Sequence, residues 1–132
     1  MEEGVQAAEA PLSYDEFLRV DMRVGRILAA EPLKKAKIPA YKLTVDLGPL
    51  GVKMSSARIT ARYAAEALPG RLVAAVVHFP PKRIAGFVSE VLVMGMDDAQ
   101  GGVALLAPDG DVPLGARMYC ISCGDRPVFF AM

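Results

Sequence analysis

The chain of 132 residues holds fifteen basic and fifteen acidic side chains, 53% hydrophobic residues and a mean hydropathy of +0.31. That is enough apolar material for one domain to bury a core without disulfides or metal, and it excludes a disordered chain. No apolar run approaches the roughly 20 residues of a bilayer-spanning helix, and no basic stretch leads into an apolar one, so a soluble, cytoplasmic protein with no membrane insertion is expected.

A net charge of zero does not by itself point to nucleic acid. The charges are segregated, however. Residues 1–22 hold six acids and one base, residues 23–89 twelve bases and three acids, and residues 90–132 two bases and six acids. Either the middle of the chain forms a basic face, or acids from the ends fold back beside the bases and cancel them.

In chain order, residues 1–12 read as a flexible lead-in. Ser13 with Glu16 three residues on is a capping-box pattern, and Tyr14, Phe17 and Leu18 fall at helical spacing; a short helix over about 13–19 is expected. From Val20 the pattern turns to strand, with Gly25 placed for a bulge or sharp bend. Residues 31–40 form a proline-bounded loop carrying Lys34, Lys35 and Lys37, which would steer a phosphate backbone if the loop flanks a groove. Tyr41 to Leu47 alternates apolar and polar, predicting a half-buried strand with Lys42 outward. Gly48 to Gly51 is a turn, and Val52 to Ile59 a further strand with a bulge expected near Ser55-Ser56. Thr60 is placed to cap a helix running to about Leu68, ended by Pro69-Gly70.

Leu72 to Phe79 is apolar and β-branched, as in a strand buried on both faces, and Phe87 to Met94 reads as another strand. Between them Pro80-Pro81-Lys82-Arg83-Ile84-Ala85-Gly86 predicts a stiff extended loop with two cations at its tip. A turn over Asp97 to Gly102, a strand from Val103 to Ala107, a second turn at Pro108 to Asp111 and a last strand from Arg117 to Ile121 follow. Five or more strands without βαβ alternation point to a small closed β-barrel, with the OB-fold as the natural candidate.

Several blocks share an order with a known family: Asp21 to Ile27, Pro39 to Gly48, Lys53 to Thr60, Leu72 to Met94 and Pro108 to Arg117. Together they resemble the tRNA-binding domain family, which takes in the C-terminal domain of many methionyl-tRNA synthetases and the free-standing export-related chaperones of the CsaA type. Ser55-Ser56, Pro80 to Gly86 and the short N-terminal helix bring the likeness nearest to the CsaA type. His78 departs from it, standing where the family usually has asparagine, and the tail beyond Tyr119 has no counterpart. The resemblance implies an all-β OB-fold with short helices over 13–119, leaving 120–132 as a C-terminal extension. It implies tRNA as partner, chaperone activity toward unfolded preproteins or contact with export machinery, and a homodimer.

On this reading the RNA-binding candidates are Lys42, Lys53, Ser55, Ser56, Arg58, Arg62, Lys82 and Arg83, whose cations and hydroxyls suit phosphate contacts. The peptide-binding candidates are Phe79, Pro80, Pro81, Ile84 and Phe87, an apolar patch rimmed by Lys82 and Arg83. An alternative keeps only peptide binding, with the basic surface serving acidic segments of unfolded chains. Phe79, Ile84 and Phe87 are each also ordinary core candidates. No paired carboxylates, phosphate-cradling glycine loop or metal cluster is seen in the sequence, and His78 has no partner spacing for a triad, so no enzyme, cofactor or metal is expected; His78 itself reads as a hydrogen-bonded histidine of the core or of a loop base. Cys120 and Cys123 are expected to be inert thiols, an intersubunit zinc site being the alternative. Two adjacent phenylalanines in Arg126 to Met132 suggest a tail that packs across a dimer interface.

Overall fold

The computed structural model describes residues 10–122. The helix α1 (Tyr14–Leu18) is followed by nine strands: β1 (Met22–Pro32), β2 (Tyr41–Asp46), β3 (Val52–Ala57), β4 (Leu72–Val76), β5 (Lys82–Ile84), β6 (Phe87–Ser89), β7 (Leu92–Val93), β8 (Gly95–Asp97) and β9 (Val103–Leu105). Five of them form one sheet in the order β3-β2-β1-β4-β7. The sheet curls nearly shut, because the N–H groups of Glu90 and Val91, just before β7, donate to the Met54 carbonyl of β3 at 2.8 and 3.3 Å. The result is a small OB-type β-barrel with very little helix.

The long strand β1 makes this closure possible. Its first half pairs with β4 (Met22 with Val76 through Arg26 with Leu72) and its second half with β2 (Arg26 with Asp46 through Pro32 with Tyr41). Gly25 sits where the strand changes partner. A Cβ there would lie 2.5 Å from Val45 Cγ1 and 2.8 Å from Leu47 Cδ2, so only a glycine lets the strand cross this close to the core. The register shift itself falls later, between Ile27 and Ala29. Ile27, Leu43, Val45, Leu47, Leu68, Val73 and Ala75 are fully enclosed and form the centre of the core.

The alternation expected for Tyr41 to Leu47 holds: Tyr41, Leu43 and Val45 are buried and Lys42, Thr44 and Asp46 only half so. The strand expected over Leu72 to Phe79 ends at Val76; to that point it is buried along nearly its whole length, as a strand covered on both faces requires, whereas His78 and Phe79 are exposed. The capping box is formed in full. Ser13 Oγ accepts from the Glu16 N–H at 3.0 Å and Glu16 Oε1 from the Ser13 N–H at 2.9 Å. The Ser13 N–H first, and the Ser13 hydroxyl after it, hold the Glu16 carboxyl below its ordinary value.

Four expectations are corrected. The β2–β3 ladder runs in unbroken register from Tyr41–Ala57 to Asp46–Val52, so there is no bulge at Ser55-Ser56. Residues 60–68 form no α-helix; a turn after Ile59 and a short 3-10 turn at Ala65–Ala67 replace it. The reason is tertiary: Tyr63 is drawn into the barrel, where its carbonyl accepts the Tyr41 hydroxyl at 2.7 Å, and Ala64 is left extended (φ −76°, ψ 146°). The expected last strand is a single bridge, Arg117 to Arg23. His78 lies exposed beyond the end of β4, not hydrogen-bonded in the core.

Cys120 is disulfide-bonded, which overturns the expectation of two inert thiols; Cys123 and the Arg126 to Met132 tail lie outside the described residues. Among the described residues no helix is long and apolar enough to cross a membrane, and no group of histidine, cysteine and carboxylate side chains could hold a metal.

Candidate nucleic-acid interface

The stretch from Pro80 to Ser89 is a hairpin, not an extended loop. Lys82 pairs with Ser89, Arg83 with Val88 and Ile84 with Phe87. The tip is Ala85-Gly86, with φ of +48° and +93°, as a two-residue turn of the type-I′ kind demands. The two cations therefore sit on the first strand instead of at the tip. Strand alternation separates them: Lys82 shares a face with Ile84, Phe87 and buried Ser89, whereas Arg83 shares the opposite face with exposed Val88. Both are exposed, and neither has an ion-pair partner among the described residues.

The lysine loop does flank this hairpin. Lys35 lies over Gly86, its Cδ 3.5 Å and its Nζ 3.9 Å from where a Cβ would stand. Lys34, Lys35 and Lys42 line a groove of about 250 Å³ with Glu31, Pro32, Leu33 and residues 85–87 of the hairpin tip. Lys42 Nζ stands 5.8 Å from the centre of the Phe87 ring and 3.8 Å from Glu31 Oε1. Cations beside an aromatic ring and an open groove suit a phosphate backbone and an unstacked base.

The other RNA candidates scatter. Ser56 is opposite Lys42 on the same sheet face and half-buried. Ser55 is 1% exposed; its hydroxyl donates to the Ser56 carbonyl at 3.0 Å and accepts from the Val93 N–H at 3.5 Å, so it ties β3 to β7 and reaches no ligand. Lys53 is paired with Val45, on the face opposite to that of Lys42. Arg58 is exposed just past β3, beside Ser56 in a second groove of about 380 Å³.

Arg62 is committed elsewhere. Its Nη1 donates to Asp98 Oδ2 at 3.1 Å and its Nε to the Tyr63 hydroxyl at 3.3 Å. Those two bonds, the tyrosine one first, raise its pKa further. Asp98 is held below the ordinary carboxylate value by the N–H groups of Gln100 and Gly102, both 2.8 Å from Oδ1, with Arg62 adding to them. Burial pushes the Tyr63 hydroxyl up, but the Leu105 N–H, Arg62 and the charge of Arg71 together bring it below its ordinary value.

Of the peptide candidates, Phe79 (53% exposed), Pro80 and Pro81 are open to solvent, whereas Ile84 and Phe87 are half-buried on the hairpin's inner face. Among the described residues, the acids toward the chain ends cancel only part of the basic middle. Asp21 pairs with Arg23 at 2.6 Å and with Arg117 at 3.6 Å, and Asp98 with Arg62. Lys34, Lys35, Lys37, Lys53, Arg58, Lys82 and Arg83 have no such partner among the described residues.

Residues 22–117 match the family model described as "Putative tRNA binding domain". The chain belongs to the tRNA-binding domain family. The methionine–tRNA ligase of Methanosarcina mazei is 32% identical over 118 residues, which cover 89% of this chain but 16% of the ligase. The chain thus spans less than a fifth of the ligase relatives it matches. Among solved structures, the chaperone CsaA of Bacillus anthracis is 47% identical with a TM-score of 0.78, covering 83% of this chain and 100% of that one. The CsaA chaperone protein of Picrophilus torridus is 42% identical with a TM-score of 0.76, covering 83% and 100%. The likeness to CsaA read from the sequence is therefore shared by sequence and fold.

Proposed function

We propose that this tRNA-binding domain acts as a non-enzymatic protein that binds tRNA around the hairpin: Lys82, the loop lysines Lys34 and Lys35, and Lys42 over Phe87, with Arg83 on the hairpin's other face and Ser56 and Arg58 extending the contact, whereas Lys53, on the sheet face opposite to Lys42, takes no part in it. The observation that carries the reading is the exposure of Lys82 and Arg83 on a hairpin without carboxylate partners among the described residues. A barrel with such a surface recognises folded RNA by shape and phosphate contacts. Filter binding to bulk tRNA across a salt series tests it. Affinity is expected to fall steeply with salt, and Lys82→Ala with Arg83→Ala to flatten the slope by about 0.7–0.9 for each phosphate that is no longer neutralised. No binding of the wild type at low salt rejects the reading.

A second activity is favoured by Phe79, exposed beside Pro80 and Pro81, and by the chaperone neighbours. On this reading an unfolded preprotein segment lies on these side chains and on the rims of Ile84 and Phe87, in the cytoplasm, before export. Its binding is expected to show a negative heat-capacity change and weak salt dependence; a Phe79→Ser variant that binds unfolded preprotein as tightly as wild type rejects it. The working unit is proposed to be a homodimer, since Leu12, Tyr14, Leu18, Val20, Met118 and Ile121 are all exposed. Sedimentation at micromolar concentration giving a monomer would reject the dimer.

A further inference from the structure

A further open pocket lies around Tyr63, apart from the hairpin groove and from the one beside Arg58. It holds about 500 Å³ and is lined by Arg62, Tyr63, Arg71, Asp98, Gln100 and small residues. Two guanidinium groups flank the one ring, Arg62 at 5.6 Å and Arg71 at 5.0 Å from its centre. They are not equivalent. Arg62 directs its donors to Tyr63 and Asp98, and the carboxylate is itself already satisfied by two backbone N–H groups and that arginine. Arg71 has no hydrogen-bond or ion-pair partner for its side chain among the described residues.

The backbone beneath Arg71 is fixed. Its N–H donates to the Leu68 carbonyl at 3.1 Å and its carbonyl accepts from the Ile27 N–H at 2.9 Å, which ties it to the barrel wall. The opposite wall is the turn from Asp98 to Gly102, closed by the Gly102 and Gln100 bonds to Asp98. The site therefore offers a planar fork of unused donors, pre-positioned on an aromatic ring, in a cleft with an excess of one positive charge.

We propose that this pocket takes a phosphate group of bound RNA, with Arg71 as its ligand. A guanidinium presents paired donors that match two phosphate oxygens, and the cation–π contact with Tyr63 holds the group over the ring without consuming its N–H groups. Arg62 and Asp98 serve as the rigid floor, and Gln100 supplies a neutral donor. Arg71 is not among the residues that the chain's basic motifs single out, and this inference rests on the tRNA reading above.

The experiment is filter binding of bulk tRNA to the full chain across a salt series, with wild type, Arg71→Ala and Arg71→Lys, beside a titration of the wild type with inorganic phosphate followed by the Tyr63 ring resonances. Arg71→Ala is expected to weaken tRNA binding about tenfold at low salt and to lower the salt slope by about 1. Arg71→Lys is expected to restore the slope but only part of the affinity, since an ammonium has no fork. Because Arg71 is exposed, an unchanged melting temperature is expected in both variants. If the wild type binds tRNA and Arg71→Ala matches it in affinity and slope, this inference is overturned and the tRNA reading stands. If the wild type binds no tRNA, the tRNA reading fails and takes this one with it. Phosphate that saturates the Tyr63 signal while Arg71→Ala leaves tRNA binding intact assigns the pocket to free phosphate and overturns the RNA assignment.

Discussion

The β2–β3 ladder and the β5–β6 hairpin are both antiparallel pairs, yet they are held in register by different forces. In the ladder, six consecutive pairs run from Tyr41–Ala57 to Asp46–Val52, and Leu43 and Val45 are completely enclosed. A slip of one residue would turn those side chains out to water, so burial itself fixes the pairing. The hairpin has three pairs, and Ser89 is its only buried residue. Its register is set by the turn, where Ala85 is the one non-glycine residue with positive φ among the described residues. Stability is thus concentrated in the wall, while the exposed cations sit on a part that adds little to it. Ligand contact and folding should then be separable by mutation.

The strongest way to break that separation is to empty the wall. Leu43→Ala removes a fully enclosed side chain and is expected to cost about 2–5 kcal/mol in urea unfolding. Well below its midpoint, the variant should still bind tRNA like the wild type. A loss of binding by folded Leu43→Ala would mean that the wall and the binding surface are not independent.

The turn offers a smaller and more local test. Gly86→Ala meets no clash, since the nearest atom is Lys35 Cδ at 3.5 Å, but a side chain at φ +93° is strained by about 1–2 kcal/mol. The expected outcome is a hairpin that frays, tRNA affinity that falls, and a urea midpoint that moves less than in Leu43→Ala. Ala85→Asn acts in the opposite sense, because asparagine tolerates φ near +48° better than alanine does. It should protect the Ile84 and Phe87 amides, the hydrogen-bonded pair next to the turn, from hydrogen exchange without moving the global midpoint. Equal shifts of the global midpoint in both hairpin variants would show that hairpin and wall unfold as one unit.

What could be read from the sequence follows the same division. The alternation of Tyr41 to Leu47, the apolar run of Leu72 to Val76 and the Ser13–Glu16 box are legible because each is a local pattern imposed by a buried face or by a cap. The helix expected over 60–68 does not form, since Tyr63 gains more by entering the barrel and accepting the Tyr41 hydroxyl and the Leu105 N–H than the segment gains from helical bonds. Ser55 resembles a ligand residue for want of a burial signal; its inward position depends on the register with Leu43, which no single segment encodes. Lys82 and Arg83 stand out as a basic pair, but their separation onto two faces does not, because the prolines ahead of them suggest a loop and strand pairing decides otherwise. Arg71 and Tyr63 lie eight residues apart with Pro69-Gly70 between them, so no single helix or strand carries both and only the fold brings them together.

The smallest expected effect concerns the turn that walls the Tyr63 pocket. Asp98 is held below its ordinary value of 3.8 chiefly by the Gln100 and Gly102 N–H groups, with burial opposing and Arg62 assisting. A carboxyl with a depressed folded-state pKa contributes stability that is present above its unfolded value and is lost as pH falls through the folded one. The turn should therefore be intact at neutral pH and loosen only below pH 3.8. Followed by NMR, the Gly102 amide is expected to titrate with a midpoint under 3.8 in the wild type and not at all in Asp98→Asn. The amides of the enclosed Leu43 and Val45 should stay fixed over the same range, because neither of them is bonded to a carboxylate. A Gly102 midpoint above 3.8 would mean that the carboxyl is not stabilised as a charge, and the rigid floor on which Arg62 rests would be lost with it.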